Sequence, residues 1–260
     1  MRPNPTNTNA KKPSLLHKLG LRRRPYSMSC DFRADGLGTK GKSLKFMEDP
    51  KFQAAWERTA ARVRETMQMK APDIRWRAHI ALWAAKQGLA LEGDFVECGV
   101  FAGTLSLMIC DYHNFAGTQK KFWLFDTWQG IPEEEGTDKG KALAKNYNKK
   151  YYTRDTYEIA KESFAPYPNC HLVQGLLPET LERAELTKIA YLSIDLNSAV
   201  YEKACIEALW PKLVPGAVVL LDDYNFKVCR EQQDMWDAFA ASKGLMIASM
   251  PTGQGILIKA

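Results

Sequence analysis

The chain has 260 residues, of which 45% are hydrophobic and 25% are charged, an ordinary composition for a folded protein. This composition excludes collagen-like, disordered and disulfide-rich classes, and no apolar run reaches the roughly 18 residues of a membrane-spanning helix. The net charge of +6 is concentrated in residues 1–50, where 11 Lys/Arg face 4 Asp/Glu, so the remaining chain is nearly neutral. A near-neutral body argues against a nucleic-acid-binding protein, and we expect a soluble chain.

The six cysteines are widely spaced and form no Cys-x-x-Cys pair, a pattern typical of buried, reduced thiols. This pattern favours a reducing compartment over a zinc site or a disulfide framework. The N-terminus also lacks the continuous apolar stretch of a secretory signal, so we expect a cytoplasmic protein.

Residues 1–44 are predicted to form a basic, disordered arm, because they contain four prolines, many polar residues and no acidic residue before Asp31. Leucines between positions 15 and 21 alternate with basic residues. This stretch is consistent with a short amphipathic helix that contacts anionic lipid or a protein partner, with a transit peptide, or with a solvated tail.

Residues 45–92 are predicted to form a helical cap, and residues 93–260 alternate short strand-like runs with helical stretches. The predicted strands are Phe95–Cys98, Lys121–Phe125, His171–Val173, Ile189–Ile194, Ala217–Leu221, Leu245–Ala248 and Gly255–Ile258. The predicted helices are Thr104–Tyr112, Thr156–Phe164, Ser198–Leu213 and Cys229–Ala241. This order predicts a doubly wound α/β domain with a mostly parallel sheet and an antiparallel hairpin at its C-terminal edge.

A glycine turn follows the first of these strands. Gly99 and Gly103 allow the backbone to approach a ligand, and Thr104 begins the next helix. Glu97 stands two residues before the first glycine, where its charge would repel the pyrophosphate of a dinucleotide. The turn therefore favours S-adenosylmethionine, which carries a sulfonium and an ammonium group and no phosphate; a purely structural turn is the alternative.

Asp126 ends the second strand, where a carboxylate can accept both hydroxyls of a ribose. Such a contact would serve NAD as well as S-adenosylmethionine, so Asp126 indicates a nucleoside without choosing the cofactor. The alternative role is an N-cap for the next segment.

Three acids follow two further strands: Asp195 ends one, and Asp222 and Asp223 end the next. Adjacent strands lie about 4.8 Å apart, so these carboxylates converge if the strands are neighbours. Like charges repel strongly without a cation, and carboxylate oxygens select Mg²⁺ before Ca²⁺ or Mn²⁺. Asn197 could add a neutral oxygen, whereas a solvated loop or helix cap is the alternative for the Asp-Asp pair.

Methyl transfer to a hydroxyl beside such an ion needs a group that accepts the hydroxyl proton. Neither His113 nor His171 lies at the end of a predicted strand, and both are interpreted as structural. Asp195, or an unidentified group between residues 127 and 155, is the expected acceptor.

Three stretches, Glu97–Gly103, Asp126–Pro132 and Leu221–Tyr224, resemble the macrocin-type O-methyltransferases. These are class I, metal-dependent enzymes with a Rossmann-like fold that use S-adenosylmethionine, and the likeness runs from about Arg75 to Lys259. The resemblance implies that Glu97, Gly99 and Gly103 line the methionine part of the cofactor and Asp126 its ribose.

The resemblance also implies that Gln174 and Gly175 lie near the adenine and that Asp195, Asp222 and Asp223 bind Mg²⁺ or another divalent cation. The family usually reads Asp-x-Asp-x-Tyr-Glu after the fourth strand. In this chain Asn197 replaces the second acid, and the spacing to the Tyr-Glu pair is longer.

Residues 127–153 are predicted to form a long loop that acts as a lid or binding element, with tyrosines suited to a sugar. We therefore expect an O-methyltransferase for a sugar-like or other small polyhydroxylated acceptor, a homo-oligomer with no nucleic-acid partner. The alternatives are an NAD-linked oxidoreductase and a non-catalytic binding protein on the same fold, gripped by a partner through the basic arm. Residues 93–260 would form the cofactor-binding domain.

Overall fold

The computed structural model of the chain describes residues 30–133 and 137–260, which form two sheets and the helices around them. The strands of the described residues are β1 (Phe32–Ala34), β2 (Leu37–Thr39), β3 (Asp94–Cys98), β4 (Phe122–Asp126), β5 (Cys170–Gln174), β6 (Ile189–Ile194), β7 (Leu213–Leu221), β8 (Ala248–Ser249) and β9 (Gly255–Ile258). The α-helices are α1 (Lys45–Glu48), α2 (Pro50–Met67), α3 (Arg75–Leu89), α4 (Thr104–His113), α5 (Asp138–Tyr151), α6 (Thr156–Phe164), α7 (Ala199–Leu209) and α8 (Arg230–Ser242). None of the helices in these two ranges has the length and apolar character that crossing a bilayer requires.

The main sheet has seven strands in the order β5-β4-β3-β6-β7-β9-β8. The first five strands of that order are parallel, and β9 runs antiparallel to both β7 and β8. The prediction of a doubly wound, mostly parallel sheet with an antiparallel C-terminal edge is therefore confirmed. The order reverses between β3 and β6, and ligands bind at such switch points in open α/β sheets.

Successive residues of each central strand enter two different cores, one on each face of the sheet. Phe95 and Leu124 pack with residues of α3, α4 and α6, whereas Val96 and Phe125 pack with residues of α7 and α8. Strands buried on both faces read as nearly continuous apolar runs, and this explains why their positions were predictable from sequence.

Helix α3 lies unusually close to the sheet because small residues form its buried face. Its alanines at positions 78, 81, 84 and 85 are fully buried. A Cβ added at Gly88 would lie only 2.8 Å from the Ala190 carbonyl oxygen. The predicted helical cap is therefore helical, and α3 forms part of the layer that covers the sheet.

The structure corrects three predicted boundaries. The helix predicted for Ser198–Leu213 ends at Leu209, because Pro211 lacks the N–H that would continue it, and Leu213 already belongs to β7. The strand predicted for Leu245–Ala248 is a two-residue strand at Ala248–Ser249, which overlaps the prediction only at Ala248. The predicted loop over residues 127–153 contains α5, whose N-terminus is capped by the Thr137 hydroxyl accepting the Gly140 N–H.

The predicted disordered arm also needs correction. Its amphipathic stretch lies outside the described residues, but residues 30–44 are described and contain the hairpin β1–β2. Asp35 and Gly36 occupy its turn with φ of +52° and +73°, as a type I′ turn requires. Phe32 is buried and packs edge-on against Trp76 of α3, so the hairpin belongs to the folded body.

Candidate active site

The glycine turn between β3 and α4 is shaped by a close approach to the loop after β6. Gly99 has φ of +89°, and a Cβ at this position would overlap the carbonyl oxygen of Asp195. Gly103 has φ of +76°, and its added Cβ would overlap the ring of Phe164. Only glycine satisfies both demands, so the turn is fixed by packing as well as by backbone conformation.

Asp126 is buried at the end of β4 and fastens this turn. Its Oδ2 accepts the N–H groups of Val100 at 2.7 Å and Phe101 at 2.8 Å, and its Oδ1 accepts the N–H of Trp128 at 2.7 Å. A carboxylate offers about four lone-pair sites, so most of its capacity is already used. Asp126 also lines the adjacent cleft.

The cleft beside the turn has a volume of about 570 Å³, including its open mouth. This lies within the usual size range of small-molecule sites. Among the predicted site residues, Gly99, Asp126, Gly175 and Asp195 line the cleft. The other predicted site residues do not line it: Glu97, Gly103, Thr104, Gln174, Asp222 and Asp223.

Glu97 is buried beneath the turn, with 5% of its surface exposed, and its Oε2 has no hydrogen-bond partner among the described residues. Burial, followed by the charges of Asp222 and Asp126, raises the pKa of this carboxyl well above its usual value. An unpartnered buried carboxylate oxygen is compatible with a nearby cationic ligand. Glu97 is not among the residues that line the cleft, and its contact with the methionine part of a cofactor stays a prediction.

The three predicted metal ligands are brought together. Strands β6 and β7 are neighbours, with Ile194 paired to Leu221, so Asp195 and Asp222 follow at the same edge. One carboxylate oxygen from each of Asp195, Asp222 and Asp223 lies within 4.8 Å of the other two. We call these three residues the acid triad. Its all-oxygen donor set fits Mg²⁺ or a similar hard cation.

Crowding and burial perturb the triad electrostatically. Burial and the neighbouring Asp223 and Asp222 charges raise the pKa of Asp195 well above its usual value. Burial and the Asp222 charge raise the pKa of Asp223 to about 7. A divalent cation would relieve this repulsion by favouring the ionised carboxylates.

Asn197 does not replace the missing family acid as a free ligand in this arrangement. Its φ is +55°, and its Nδ2 donates to Asp195 Oδ1 at 2.9 Å. Its amide therefore orients a triad member, and the residue lines the cleft.

Sequence reasoning missed two side chains that hold Asp222. Arg77 Nη1 donates to Asp222 Oδ2 at 2.6 Å, and Gln254 Nε2 donates to Asp222 Oδ1 at 3.0 Å. Gln254 lies within the region that resembles the family, but no spacing in the sequence points to Arg77.

Aromatic side chains close one side of the cleft. Tyr147 of α5 and the following Tyr152 line it, and the Phe101 ring centre lies 5.2 Å from that of Tyr152. Burial, with Asp195 the next cause for Tyr147 and Asp126 for Tyr152, raises the pKa of both phenols. Both therefore stay neutral at physiological pH and can donate hydrogen bonds.

The two histidines considered for proton transfer have structural contacts. His113 Nε2 lies 2.9 Å from the Leu82 carbonyl oxygen, and His171 packs on Trp123 with ring centres 4.6 Å apart. Neither histidine is among the residues that line the cleft.

Structural comparison places the chain among methyltransferase folds. The O-methyltransferase NovP covers 80% of this chain and 98% of its own, with a TM-score of 0.65 and 18% identity. The calicheamicin methyltransferase CalS11 covers 85% of this chain and 98% of its own, with a TM-score of 0.53 and 17% identity. At such identities the likeness establishes the fold alone.

Sequence comparison identifies curated relatives of related chemistry. One is 8-demethyl-8-(2,3-dimethoxy-alpha-L-rhamnosyl)-tetracenomycin-C 4'-O-methyltransferase of Streptomyces olivaceus, 27% identical over 150 residues, or 54% of this chain and 56% of the relative. Another is mycinamicin III 3''-O-methyltransferase of Micromonospora griseorubida, 23% identical over 149 residues, or 54% of this chain and 59% of the relative. The matched region thus spans less than two thirds of these relatives.

The family profile described as "Macrocin-O-methyltransferase (TylF)" matches residues 82–248. The match contains the glycine turn, Asp126 and the whole acid triad, and it extends over more than half of the sequence. The chain therefore belongs to the macrocin O-methyltransferase family.

Proposed function

We propose that this protein is an O-methyltransferase that moves a methyl group from S-adenosylmethionine to a hydroxyl of a sugar-bearing small molecule. The proposal includes a divalent cation, Mg²⁺ in the first place, at the acid triad. The observation that carries it is the position of three convergent carboxylates beside the cleft of the glycine turn. Family membership supports the same chemistry.

The charge of the cleft supports a sulfonium donor. Asp126 and Asp195 line it, Glu97 lies behind it, and no Lys or Arg is present among its described lining residues. Such a surface offers a pyrophosphate no cationic side chain, whereas carboxyl oxygens can contact a cation. The charge therefore disfavours the alternative of an NAD-linked oxidoreductase.

Asp195, Asp222 and Asp223 would hold the cation, with Gln254 and Arg77 orienting Asp222. When bound, the cation lowers the pKa of an acceptor hydroxyl, and S-adenosylmethionine supplies the methyl group. Asp195 would accept the hydroxyl proton through the carboxylate oxygen that Asn197 does not contact, since its other oxygen accepts the Asn197 amide.

The remaining contribution of the chain is orientation and exclusion of water. The acceptor oxygen takes the methyl group as the carbon–sulfur bond breaks, which requires the two reactants in line. Because Gly99 has no side chain, the glycine turn packs directly against the Asp195 backbone. A donor bound at the turn and an acceptor bound at the triad would therefore lie next to each other. Phe101, Tyr147 and Tyr152 cover the cleft and restrict the entry of solvent.

A second groove adjoins the cleft and suits the body of the acceptor. The two share Ile131, Pro132 and Asn197. Three large apolar side chains that are exposed to solvent line this groove: Leu143 at 38%, Val200 at 47% and Val228 at 58%. We call it the apolar groove. Exposed apolar side chains gathered at one site are typical of a binding surface.

The apolar groove has no Lys or Arg among its described lining residues, so a diphosphate finds no cationic partner there. This favours a sugar already attached to an apolar aglycone over a nucleotide sugar. The curated relatives named for tetracenomycin and mycinamicin derivatives fit this expectation. A solved neighbour titled a TDP-rhamnose 3'-O-methyltransferase represents the other class.

Calorimetric titration with S-adenosylmethionine, followed by a methyl-transfer assay on an aryl rhamnoside with and without MgCl2, tests the proposal. We expect the wild-type protein to bind the donor and to transfer methyl groups in a Mg²⁺-dependent manner. We expect Asp223→Asn to lose the transfer that Mg²⁺ stimulates. Asp234→Asn on the exposed face of α8 is the matched control and should behave as wild type. Binding of NAD in place of S-adenosylmethionine would contradict the proposal, as would transfer by Asp223→Asn with unchanged dependence on Mg²⁺.

A further inference from the structure

One guanidinium connects the acid triad to the N-terminal hairpin. Arg77 Nη1 lies 2.6 Å from Asp222 Oδ2, while its Nε and Nη2 donate to the two oxygens of Asp35 at 2.8 and 3.3 Å. The side chains of Arg77 and Asp222 are exposed by only 17% and 4%, and that of Asp35 by 24%. Arg77 is therefore a largely buried cation shared between two carboxylates.

The hairpin is built to bring Asp35 to this position. Asp35 and Gly36 form the tight turn between β1 and β2, and Phe32 anchors the hairpin on α3 through Trp76. The Arg75 guanidinium lies over the Phe32 ring, 5.7 Å from its centre. The turn is thus fixed next to the face of α3 that carries Arg77.

The charge of Arg77 has two opposing effects on a divalent cation at the triad. It orients Asp222, as partners of metal-ligating carboxylates generally do. It also places a positive charge beside the triad, which disfavours a second cation in a largely buried site. A carboxylate that neutralises Arg77 from its opposite edge retains the orienting effect and reduces the repulsion.

Asp35 meets this requirement. It accepts from the Nε and Nη2 edge of Arg77, so Nη1 is the donor that remains for Asp222. Its carboxylate also compensates the positive charge of Arg77. Loss of this charge would strengthen the hold of Arg77 on Asp222 and increase the local positive charge, and both effects weaken divalent cation binding.

We propose that Asp35 is a positioning residue for a divalent cation at the acid triad and acts through Arg77. This inference rests on the metal site of the proposed function. It assigns a role in that site to the N-terminal hairpin, which lies outside the region matched by the family profile.

The test is calorimetric titration of MgCl2 into the full chain saturated with S-adenosylhomocysteine. Asp35→Asn should raise the Kd for Mg²⁺ about tenfold, the scale seen when outer partners of metal ligands are removed. Asp35→Glu restores the charge and should bring the Kd back to within about threefold of wild type. Asp31→Asn is the matched control, because Asp31 accepts the Gly41 N–H in the same hairpin and does not contact Arg77.

A double-mutant cycle tests the route through Arg77. In an Arg77→Met background, adding Asp35→Asn should change the Kd less than about twofold, since a coupled pair is not additive. A full tenfold loss in that background would overturn the inference. An unchanged Kd in Asp35→Asn would also overturn it while leaving the metal proposal intact. Absence of Mg²⁺ binding by wild-type protein would instead contradict the metal site itself.

Discussion

The C-terminal edge of the sheet has two halves, one at the end of β4 and one at the ends of β6 and β7, and they stabilise their carboxylates in different ways. At the end of β4, Asp126 accepts three backbone N–H groups from the surrounding turns. At the ends of β6 and β7, Asp222 relies on the side chains of Arg77 and Gln254, while the pKa values of Asp195 and Asp223 are raised.

This difference indicates two degrees of preorganisation. Backbone donors are positioned by the fold itself, so the half around Asp126 is complete without a ligand. The acid triad keeps an excess of negative charge, so its half is completed by a cation according to the proposed function. Gly99 is the point of contact between the halves, since it leaves no room for a side chain beside the Asp195 carbonyl.

Gly99→Ala is expected to have the largest effect, because it strains the backbone and forces the halves apart. We expect a loss of about 3 kcal/mol or more in the free energy of unfolding, together with weaker binding of both S-adenosylmethionine and Mg²⁺. Chemical denaturation and calorimetry measure these quantities. Gly244→Ala is the control, with φ of +68° but open space around the added Cβ, and should cost about 1 kcal/mol.

Asp126→Asn tests the half of the sheet edge that lies at the end of β4. An amide turns an NH₂ group toward backbone N–H donors, and we expect a loss of about 2 kcal/mol in the free energy of unfolding. Saturating Mg²⁺ should not restore it. Asp155→Asn is the control, since Asp155 also accepts two backbone N–H groups but at an exposed helix start. Equal losses in the two variants would contradict the special role given to Asp126.

The pH dependence of stability separates the halves. An acid whose pKa is raised from about 4 to about 7 on folding, such as Asp223, takes up a proton as the chain folds. Stability contributed by this uptake is present at low pH and falls as pH rises from about 4 to about 7, by up to ~1.4 kcal/mol per pH unit for each such group.

Mg²⁺ favours the ionised triad, so it should flatten this dependence. The part that remains with Mg²⁺ is expected to come from the buried acids outside the triad, Glu97 and Glu202, whose pKa values are also raised. Denaturation curves at pH 5.5, 6.5 and 7.5, with and without MgCl2, provide the measurement. An equal slope of the free energy of unfolding against pH with and without MgCl2 would contradict the distinction between the two halves.

The smallest expected effect lies outside both halves. Val200→Glu places a charge in the apolar groove and should lower kcat/KM for an aryl rhamnoside about tenfold, while the Kd values for S-adenosylmethionine and Mg²⁺ stay unchanged. Met246→Glu, at a side chain that is 87% exposed elsewhere, is the control. An equal kcat/KM for both variants would contradict the role of the groove.

The positions of the triad acids were predictable because they depend on strand periodicity. Strand β6 matches its predicted range and β7 ends at its predicted last residue, Leu221, and parallel neighbours bring their ends to one edge. The inward position of Glu97 was also accessible from sequence, since Glu97 lies two residues after Phe95 and therefore on the same buried face of β3.

The Arg77 bridge was not predictable in the same way. Arg77, Asp35 and Asp222 come from three distant segments, and only tertiary packing brings them together. One local signal existed, the Asp35-Gly36 pair, which is typical of a hairpin turn. Helix α5 was missed because its lysines and tyrosines resemble a solvated loop, although Thr137 provides an N-cap.

The apolar groove lies on the outer surfaces of α5, α7 and the segment leading into α8, whereas the acids belong to strand ends. Substitutions at Leu143, Val200 or Val228 therefore change exposed positions that support no core. Under the proposed function, evolution or protein engineering can change the range of accepted compounds through these positions. The acids at the strand ends, which serve the transfer reaction, then stay unchanged.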